Sequence, residues 1–448
     1  MIDLQEAESL SLERQNIVIN DFGRFKIGTK NYHKQFCGIY IARLAALKDS
    51  IVATAKIKWG QYPILSVDRL TEFNDQKTFI VIGTLYKHQE LKPSILKELS
   101  QELQVPYQPQ RSNYTSDKDK LFLENELIRA KLLGNHPNPK AVVTGLICAV
   151  LGHETDDGAF WVDDWCFPGC CPCISGSGVP TQNEGKLLIV SGFDFANTPD
   201  NLSLELLREW ISGFVGDSSA QKEGASVVQM LVAGNSVRSK VETYTRYDFE
   251  SKKSHTDPVA LESILATHRF DSYLSGIAEN CPIILMPGQF DPSEHSLPQQ
   301  PLHPCILPKS SRYKTVRGAT NPWIGKIANR IVSGSSGQPI NDITRVGGLE
   351  ESTALEWLEK TLIWRHFAPT APDTLPVYPY FGTDPFVMIE CPDIYFAGNM
   401  EEFATKMYIG EEGQTVRLIC VPKFAKTGTA VLVDLNSLDT WPISFGSG

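Results

Sequence analysis

The change in hydrophobic period near residue 187 constrains the fold of this chain more than any other feature. Before it, short apolar runs bounded by turn residues are typical of β-strands. After it, apolar strand-like runs alternate with amphipathic stretches, in the order Lys186–Ser191, Leu202–Phe214, Val227–Ala233, Pro258–Ala278 and Cys281–Met286. Alternation of strand and helix predicts an α/β layer with parallel strands. The chain is therefore expected to hold a β-rich N-terminal domain and an α/β C-terminal domain.

The predicted organisation has five segments, and the length of 448 residues fits two domains with an extra helical segment. Residues 1–28 are polar and lack a sustained period, so they are expected to be loosely ordered. Residues 30–65 form a helical segment, because apolar residues from Ile39 to Ile51 recur at helical spacing. The remaining segments are the β-rich domain (66–167), a linker rich in Pro, Gly, Ser and Cys (168–186) and the α/β domain (187–448).

The β-rich domain has the strand content of a small barrel. Strands are predicted at Thr78–Leu85, Leu121–Ile128, Val142–Leu151 and Ala159–Trp165, with a short helix at Ser94–Val105 between the first two. Asp157 and Gly158 favour a tight turn between the last two strands. Strands of this number and length with one inserted helix predict a barrel of the OB type.

OB barrels often bind single-stranded nucleic acid through exposed aromatic side chains, which raises one alternative function. Phe79, Tyr86, Phe160 and Trp161 are candidates for such a stacking platform, although aromatic residues at strand spacing are more often core residues. The net charge of −10 opposes binding of a phosphate backbone by this chain alone. A protein that binds single-stranded DNA on its own is thus one alternative interpretation, and the net charge argues against it.

The loops at the predicted strand ends of the α/β domain suggest a metal site that lacks its ligands. A dinuclear phosphoesterase needs Asp, His and Asn side chains to hold two cations and activate a bridging water. The glycines and spacing of such a site are present, but glycine, amides and a phenylalanine stand where most ligands belong. The degenerate ligand positions are Gly192, Asp194, Asn235, Gln289, Phe290, Asp291, Asn399 and Glu401. We therefore expect no catalytic residue, no metal ligand and no cofactor, with a metallophosphoesterase or nuclease with an unusual site as the other alternative.

Several longer motifs resemble those of one known family. They are Met286–Pro292, Leu297–Cys305, His366–Thr374, Tyr378–Pro385 and Trp441–Phe445, with Val81–Leu85, Lys92–Leu96 and Asp163–Phe167 in the N-terminal half. Through them the chain resembles the small (B) accessory subunits of DNA polymerase delta, which belong to the DNA polymerase alpha/delta/epsilon B-subunit family. The resemblance covers nearly the whole chain from about residue 30.

The resemblance implies a fold, a function and a set of partners. The fold is an OB barrel beside an inactive, calcineurin-like metallophosphoesterase α/β sandwich. The function is that of a non-catalytic accessory subunit in nuclear DNA replication and repair, which meets DNA only as part of the complex. The implied partners are the C-terminal cysteine-rich domain of the catalytic subunit, a third elongated subunit, and the catalytic subunit of polymerase zeta. No residue is assigned to partner binding, and no membrane partner is implied.

The ten cysteines are expected to be reduced thiols of an intracellular protein. Four of them lie close together, at Cys166, Cys170, Cys171 and Cys173. Structural zinc sites usually combine two such pairs that are far apart in sequence, and the second pair is missing. A flexible, cysteine-rich turn between the domains is therefore favoured over a structural metal site. The cluster also departs from the pattern expected of the family.

Overall fold

The computed structural model describes residues 13–65, 78–92, 112–126, 128–173, 185–198, 201–239, 258–348 and 352–446. The strands in chain order are β1 (Ile19–Asp21), β2 (Ile64–Leu65), β3 (Phe79–His88), β4 (Lys120–Glu124), β5 (Arg129–Gly134), β6 (Leu146–Glu154), β7 (Phe160–Cys166), β8 (Lys186–Val190), β9 (Val227–Ala233), β10 (Ile283–Met286), β11 (Val316–Gly318), β12 (Trp323–Ile327), β13 (Arg330–Ser335), β14 (Ile394–Met400), β15 (Ala404–Ile409), β16 (Thr415–Pro422), β17 (Thr429–Asp434) and β18 (Thr440–Ser444). The helices are α1 (Cys37–Trp59), α2 (Leu202–Ile211), α3 (Ser218–Ser226), α4 (Pro258–Ala278), α5 (Gln338–Val346), α6 (Ala354–Ile363) and α7 (Phe424–Thr427). The strands form three six-stranded sheets.

The first sheet closes on itself into a barrel. Its strand order is β2-β3-β4-β5-β7-β6, and an added pairing of β3 with β6 closes a ring of five strands. The pairs within the ring are antiparallel except for the parallel pair β5–β7. Strand alternation turns Val81, Leu123 and Leu132 into the interior, where they are at most 2% exposed. The prediction of a small barrel is confirmed.

One predicted barrel strand is wrong, and one predicted helix lies outside the described residues. Leu121–Ile128 is not a single strand, because β4 ends at Glu124 and β5 begins at Arg129. Asn125 makes the turn between them: its backbone N–H donates to Ile128 O at 3.1 Å and its side chain accepts from Ile128 N at 2.8 Å. The predicted helix Ser94–Val105 falls in the part of the chain that is not described.

The other two sheets pack face to face as a sandwich. Their strand orders are β1-β12-β13-β14-β16-β15 and β11-β10-β9-β8-β17-β18. Fully buried aliphatic and aromatic side chains such as Ile189, Leu231, Val332 and Phe396 fill the space between them. The predicted parallel arrangement is confirmed for β8, β9 and β10. Both sheets also contain antiparallel strands, which strand–helix alternation does not predict.

Helices cover the two outer faces of the sandwich. Trp210 of α2 and Phe270 of α4 are buried against the sheet that contains β9. Trp357 of α6 is fully buried on the other side, and Thr353 starts this helix with a capping box to Glu356. The described part of the chain contains no helix with the length and apolar character needed to cross a membrane.

The N-terminal residues from Arg14 onward pack on the sandwich. Strand β1 pairs with β12, and Phe25 is 1% exposed, with its ring 5.4 Å from Phe367. Arg14 donates to Ile211 O at 2.7 Å. Loose order, expected for residues 1–28, therefore does not hold for this stretch. Its partners lie hundreds of residues away in the sequence, so no local period signals its structure.

The start of the predicted linker is also packed. Arg365 donates to the carbonyl oxygens of Gly169 and Cys170, both at 2.7 Å, and Gln414 donates to Cys171 O at 3.3 Å. Cys170 and Cys171 are buried. The expectation of a flexible turn is therefore wrong for these residues, because side chains of the sandwich satisfy their carbonyl groups.

Candidate functional site

The predicted degenerate ligand positions lie at one edge of the sandwich, in the loops after β8, β9, β10 and β14 and, for Asn399, near the end of β14 itself. The backbone N–H of Gly192 donates to Gly234 O at 2.9 Å, which joins the loops after β8 and β9. The backbone N–H of Asn399 donates to Ser191 Oγ at 2.8 Å, which joins the two sheets. Loops at the carboxyl ends of parallel strands are the usual place for a functional site in this class of fold.

Gly192 and Asn399 face each other across the gap between the sheets. Gly192 has a φ of +68°, and a Cβ on it would lie 2.7 Å from Asn399 Oδ1. Asn399 is 2% exposed and donates from Nδ2 to Ala233 O at 3.1 Å and Ser336 O at 2.9 Å. The asparagine amide therefore ties the sheets together, and there is no room for a side chain at position 192.

Asn235 organises the loop after β10. Its Oδ1 accepts a hydrogen bond from Phe290 N at 3.2 Å. Gly288 passes so close that a Cβ on it would lie 2.1 Å from Asn235 N. Backbone atoms thus occupy the space beside this amide, and Phe290 contributes its N–H group to the contact.

The two carboxylates in these loops bind backbone N–H groups. Asp194 Oδ1 accepts from Ser239 N at 3.0 Å, and the Asp291 oxygens accept from Val237 N and Gly288 N, both at 2.8 Å. Burial raises the pKa of Asp291 to about 6, although the backbone N–H groups favour its ionised form. Both carboxylates therefore hold the loop after β9 in place.

Gln289 and Glu401 lie apart from this arrangement, because both side chains are exposed. Glu401 accepts hydrogen bonds from Lys423 and Lys426, and these two lysines lower its pKa to about 2. Contacts made directly or through the loop backbone join Gly192, Asp194, Asn235, Phe290, Asp291 and Asn399.

The structure adds a buried amide cluster that the sequence did not suggest. Asn321 Nδ2 donates to Gln299 Oε1 and Gln338 Oε1, both at 2.7 Å, and Gln299 Nε2 donates to Gly288 O at 2.9 Å. The cluster joins the loop after β10 to the first residue of α5. Amides this far apart in sequence follow no period that could have revealed them.

The polar side chains at this edge make hydrogen bonds to other protein groups. Within the described residues, no group of three or more His, Cys, Asp and Glu side chains is close enough to hold a metal ion. The amides and carboxylates described above bind backbone carbonyl and N–H groups, so they stabilise the junction of the loops.

The barrel aromatics divide between core and surface. Phe79 and Phe160 are buried, with ring centroids 5.6 Å apart inside the barrel. Tyr86 is half-buried beneath the Arg129 guanidinium at 4.0 Å, and Trp161 is 45% exposed. The four residues therefore do not form one exposed stacking platform.

A buried arginine joins the barrel to the sandwich. Arg43 of α1 is 1% exposed and donates to Asp384 Oδ2 at 2.8 Å and to Gly145 O at 2.9 Å. Ile39 and Leu47, one helical turn on either side, are also buried. Arg43 interrupts the apolar stripe of α1. A charged residue at such a position could have indicated the joint from the sequence, but we did not predict it.

The same joint contains a buried histidine. His366 Nδ1 accepts from Ala368 N at 3.1 Å, so its Nε2 carries the proton toward Asp384 Oδ2 at 2.9 Å. Burial, helped by Arg43, lowers the pKa of His366 to about 4, and the ring is neutral at pH 7. Burial disfavours the Asp384 carboxylate, but His366 and Arg43 outweigh it and hold its pKa below the usual range.

A second contact between barrel and sandwich lies at the end of α5. Helix C-termini leave carbonyl groups without intrahelical partners. Lys87 Nζ donates to Val346 O at 2.7 Å, and Asn113 Nδ2 donates to Thr344 O at 3.0 Å and Gly347 O at 2.8 Å. The barrel therefore caps α5, and the two folded units contact each other here through buried and part-buried polar groups.

Two family models match this chain. The model described as "DNA polymerase delta subunit OB-fold domain" matches residues 35–165. The model of the B subunits of DNA polymerases alpha and epsilon matches residues 187–405. The first match contains the barrel, and the second contains most of the sandwich with the loops described above.

Whole-chain relatives agree with these matches. The chain is 38% identical over 423 residues to DNA polymerase delta subunit 2 of Drosophila melanogaster, covering 94% of this chain and 95% of the relative. It is 36% identical over 428 residues to the DNA polymerase delta small subunit of Arabidopsis thaliana, covering 95% and 94%. The small subunit of Saccharomyces cerevisiae is 29% identical over 454 residues, covering 92% and 89%.

Proposed function

The chain belongs to the family of small (B) subunits of DNA polymerase delta, and on that premise we propose that it is a non-catalytic accessory subunit of a polymerase complex that replicates and repairs DNA in the nucleus. Its role is to hold the C-terminal, cysteine-rich domain of the catalytic subunit and a third, elongated subunit in one assembly. The catalytic subunit of polymerase zeta is a further proposed partner.

The observation that carries the proposal is the buried joint between barrel and sandwich. The Arg43–Asp384 pair has side chains 1% and 0% exposed, and the guanidinium also donates to a barrel carbonyl. Breaking a buried pair of this kind costs about 3–5 kcal/mol, so the two units keep a fixed relative orientation. A scaffold subunit needs such a fixed orientation because partners that contact both units bind a preformed surface.

The loops of the sandwich support a non-enzymatic role. We propose that the sandwich descends from a metallophosphoesterase whose ligand positions now serve the fold. Asn399 binds carbonyl groups of both sheets, and a side chain at Gly192 would collide with it. The carboxylates of Asp194 and Asp291 accept backbone hydrogen bonds. Both oxygens of each carboxylate accept hydrogen bonds, which compete with binding of a cation.

The proposal is tested by co-expression with a polymerase delta catalytic chain, followed by size exclusion in roughly 0.5 M salt, where the Debye length is about 4 Å. We expect the two chains to co-elute in equal amounts. The Arg43→Lys variant should co-elute less completely, because lysine keeps the charge but not the fork of donors. Lys58→Met is the matched control, since its ion pair with Asp164 is about 40% exposed at each side chain.

Separate elution of the wild-type chains would contradict the proposal. It would favour the phosphoesterase or nuclease alternative if the chain alone also bound Mn or Zn stoichiometrically and hydrolysed a phosphodiester. It would favour the single-stranded DNA-binding alternative if the chain alone bound an oligonucleotide with strong salt dependence.

Restoring two histidines should not create a hydrolase. We expect the Phe290→His, Asn399→His double variant to show no phosphodiester hydrolysis in Mn, because Gly192 and Asn235 still supply no carboxylate or imidazole. Turnover above that of the wild-type chain in a colorimetric phosphodiesterase assay would refute this account of the loops.

A further inference from the structure

The proposed function leaves one pair of cysteines unexplained. Cys170 follows the last barrel strand and Cys391 precedes β14 of the sandwich; they are 8% and 4% exposed. Their sulfur atoms lie 3.8 Å apart, and both are free thiols. The pair therefore lies between the segment that leaves the barrel after β7 and the sheet of the sandwich that contains β14.

The surroundings of Cys170 favour its thiolate form. The hydrogen bond with Cys391 lowers the pKa of Cys170, and the nearby Arg365 guanidinium acts in the same direction. Arg365 is fixed there because it donates to Cys170 O at 2.7 Å. In contrast, burial raises the pKa of Cys281 to about 11. Because the thiolate is the reactive form, Cys170 differs chemically from Cys281, although both thiols are buried.

We propose that Cys170 and Cys391 form a reversible disulfide when the protein meets a hydroperoxide such as hydrogen peroxide. The Cys170 thiolate attacks one peroxide oxygen, the O–O bond breaks, and a sulfenic acid and water form after proton uptake. The Cys391 thiol then attacks the sulfenic sulfur, loses its proton and releases a second water. The two thiols lose two electrons and two protons, and the peroxide is reduced to two waters.

The geometry selects Cys391 as the resolving thiol. A disulfide needs the two sulfurs about 2 Å apart, so they must approach by roughly 1.8 Å, within the reach of side-chain rotation. The neighbouring Cys171 is not the resolving thiol, because its thiol donates a hydrogen bond to Met388 O at 3.0 Å. Cys173 is exposed and has no thiol contact of this kind in the described structure.

The cross-link would fix the barrel's exit segment to the sandwich. Cys170 and Cys391 are 221 positions apart in the sequence, so the bond closes a long loop across both units. In a reducing compartment such a disulfide forms transiently and is reversed by dithiols. It would lock the relative orientation of the two units during oxidative stress. This inference concerns the isolated chain and does not depend on the proposed function.

The test uses the full chain with hydrogen peroxide as the probe. After a short exposure the protein is denatured, alkylated with a maleimide and mapped by mass spectrometry. We expect loss of two alkylatable thiols, a mass decrease of about 2 Da before alkylation, and one cross-linked peptide pair that contains Cys170 and Cys391. Dithiothreitol should restore both thiols. The reduced and oxidised proteins should differ in melting temperature, with the oxidised form higher.

Two variants separate the steps. In Cys391→Ser we expect no cross-link and a Cys170 sulfenic acid that is trapped by dimedone. Cys281→Ser is the matched control, since Cys281 is also buried and should leave the cross-link unchanged. The wild-type peptide map decides the matter even if a variant folds poorly. A cross-link from Cys170 to Cys171 or Cys173, or oxidation of exposed Cys37 and Cys305 while Cys170 and Cys391 stay reduced, would overturn the proposal.

Discussion

At the scale of a single residue, Gly145 sets how closely the barrel approaches the sandwich. It has a φ of +94°, and a Cβ there would lie 2.6 Å from both Arg43 Nη1 and Pro369 O. We expect Gly145→Ala to lower the free energy of unfolding by about 3 kcal/mol, because backbone strain adds to displacement of a buried guanidinium. Denaturation in urea at pH 7 measures the loss.

Gly158 is the matched control for this prediction. It has a similar φ of +77°, but a Cβ on it would meet nothing within 4 Å. Gly158→Ala should therefore cost only the left-handed backbone penalty, about 1–2 kcal/mol. Equal losses in both variants would mean that backbone conformation alone, and not the close contact with Arg43, explains the glycine at position 145.

At the scale of an element, α5 depends on the barrel for the end of its hydrogen-bond ladder. Asn113 satisfies two carbonyl groups there, and Lys87 a third. We expect Asn113→Ala to lower the free energy of unfolding by about 1–2 kcal/mol and to speed amide exchange in the last turn of α5. Hydrogen–deuterium exchange of peptides covering residues 340–348 measures this effect.

The control for the α5 prediction is another asparagine of the barrel. Asn135 donates to Asp163 O at 3.0 Å, which is the same chemistry but is exposed and lies within the barrel. Asn135→Ala should leave exchange in α5 unchanged. The capping account fails if α5 exchanges at the wild-type rate in Asn113→Ala, or if both variants accelerate it equally.

At the scale of the whole molecule, acid should loosen the joint between barrel and sandwich. The pKa of His366 falls from its ordinary value of 6.5 to about 4 in the folded state. The folded protein therefore binds fewer protons than the unfolded chain in this window, and stability present above pH 6.5 is lost as the pH falls toward 4. We expect the free energy of unfolding to drop by roughly 3 kcal/mol from this group.

The pH prediction is checked by comparing wild type with His366→Gln in urea denaturation between pH 4 and 7.5. Asp291 acts in the opposite sense, because its pKa is raised to about 6, so only the difference between the two proteins isolates His366. The variant should show the smaller loss toward acid. His33→Gln, at an exposed position, should keep the wild-type slope. Parallel slopes for wild type and His366→Gln would exclude the histidine as the source.

The sequence allowed prediction of the regular, locally encoded elements of the fold. Strand β9 and helix α4 have the predicted bounds, because local signals specify them: a short apolar run for β9 and a proline at the first position of α4. The pairings β1–β12 and β13–β14 join segments that are distant in the sequence, and no local pattern specifies them. At the candidate site, glycine spacing predicts that Gly192 is an altered ligand position, and the structure places it opposite Asn399. The hydrogen bond between Asn321 and Gln299 could not be predicted either, because no local pattern links these two residues.

The N-terminal stretch that packs on the sandwich has a consequence for synthesis of the protein. Strand β1 pairs with β12, which leaves the ribosome roughly 300 residues later, and the Phe367 ring that receives Phe25 emerges later still. At about 5–20 residues per second, β12 follows after roughly 15–60 s. During that time the nascent chain carries an unpaired strand and an exposed phenylalanine, which are features that chaperones shield. This stretch is thus synthesised long before the strand and the ring that hold it in its native position.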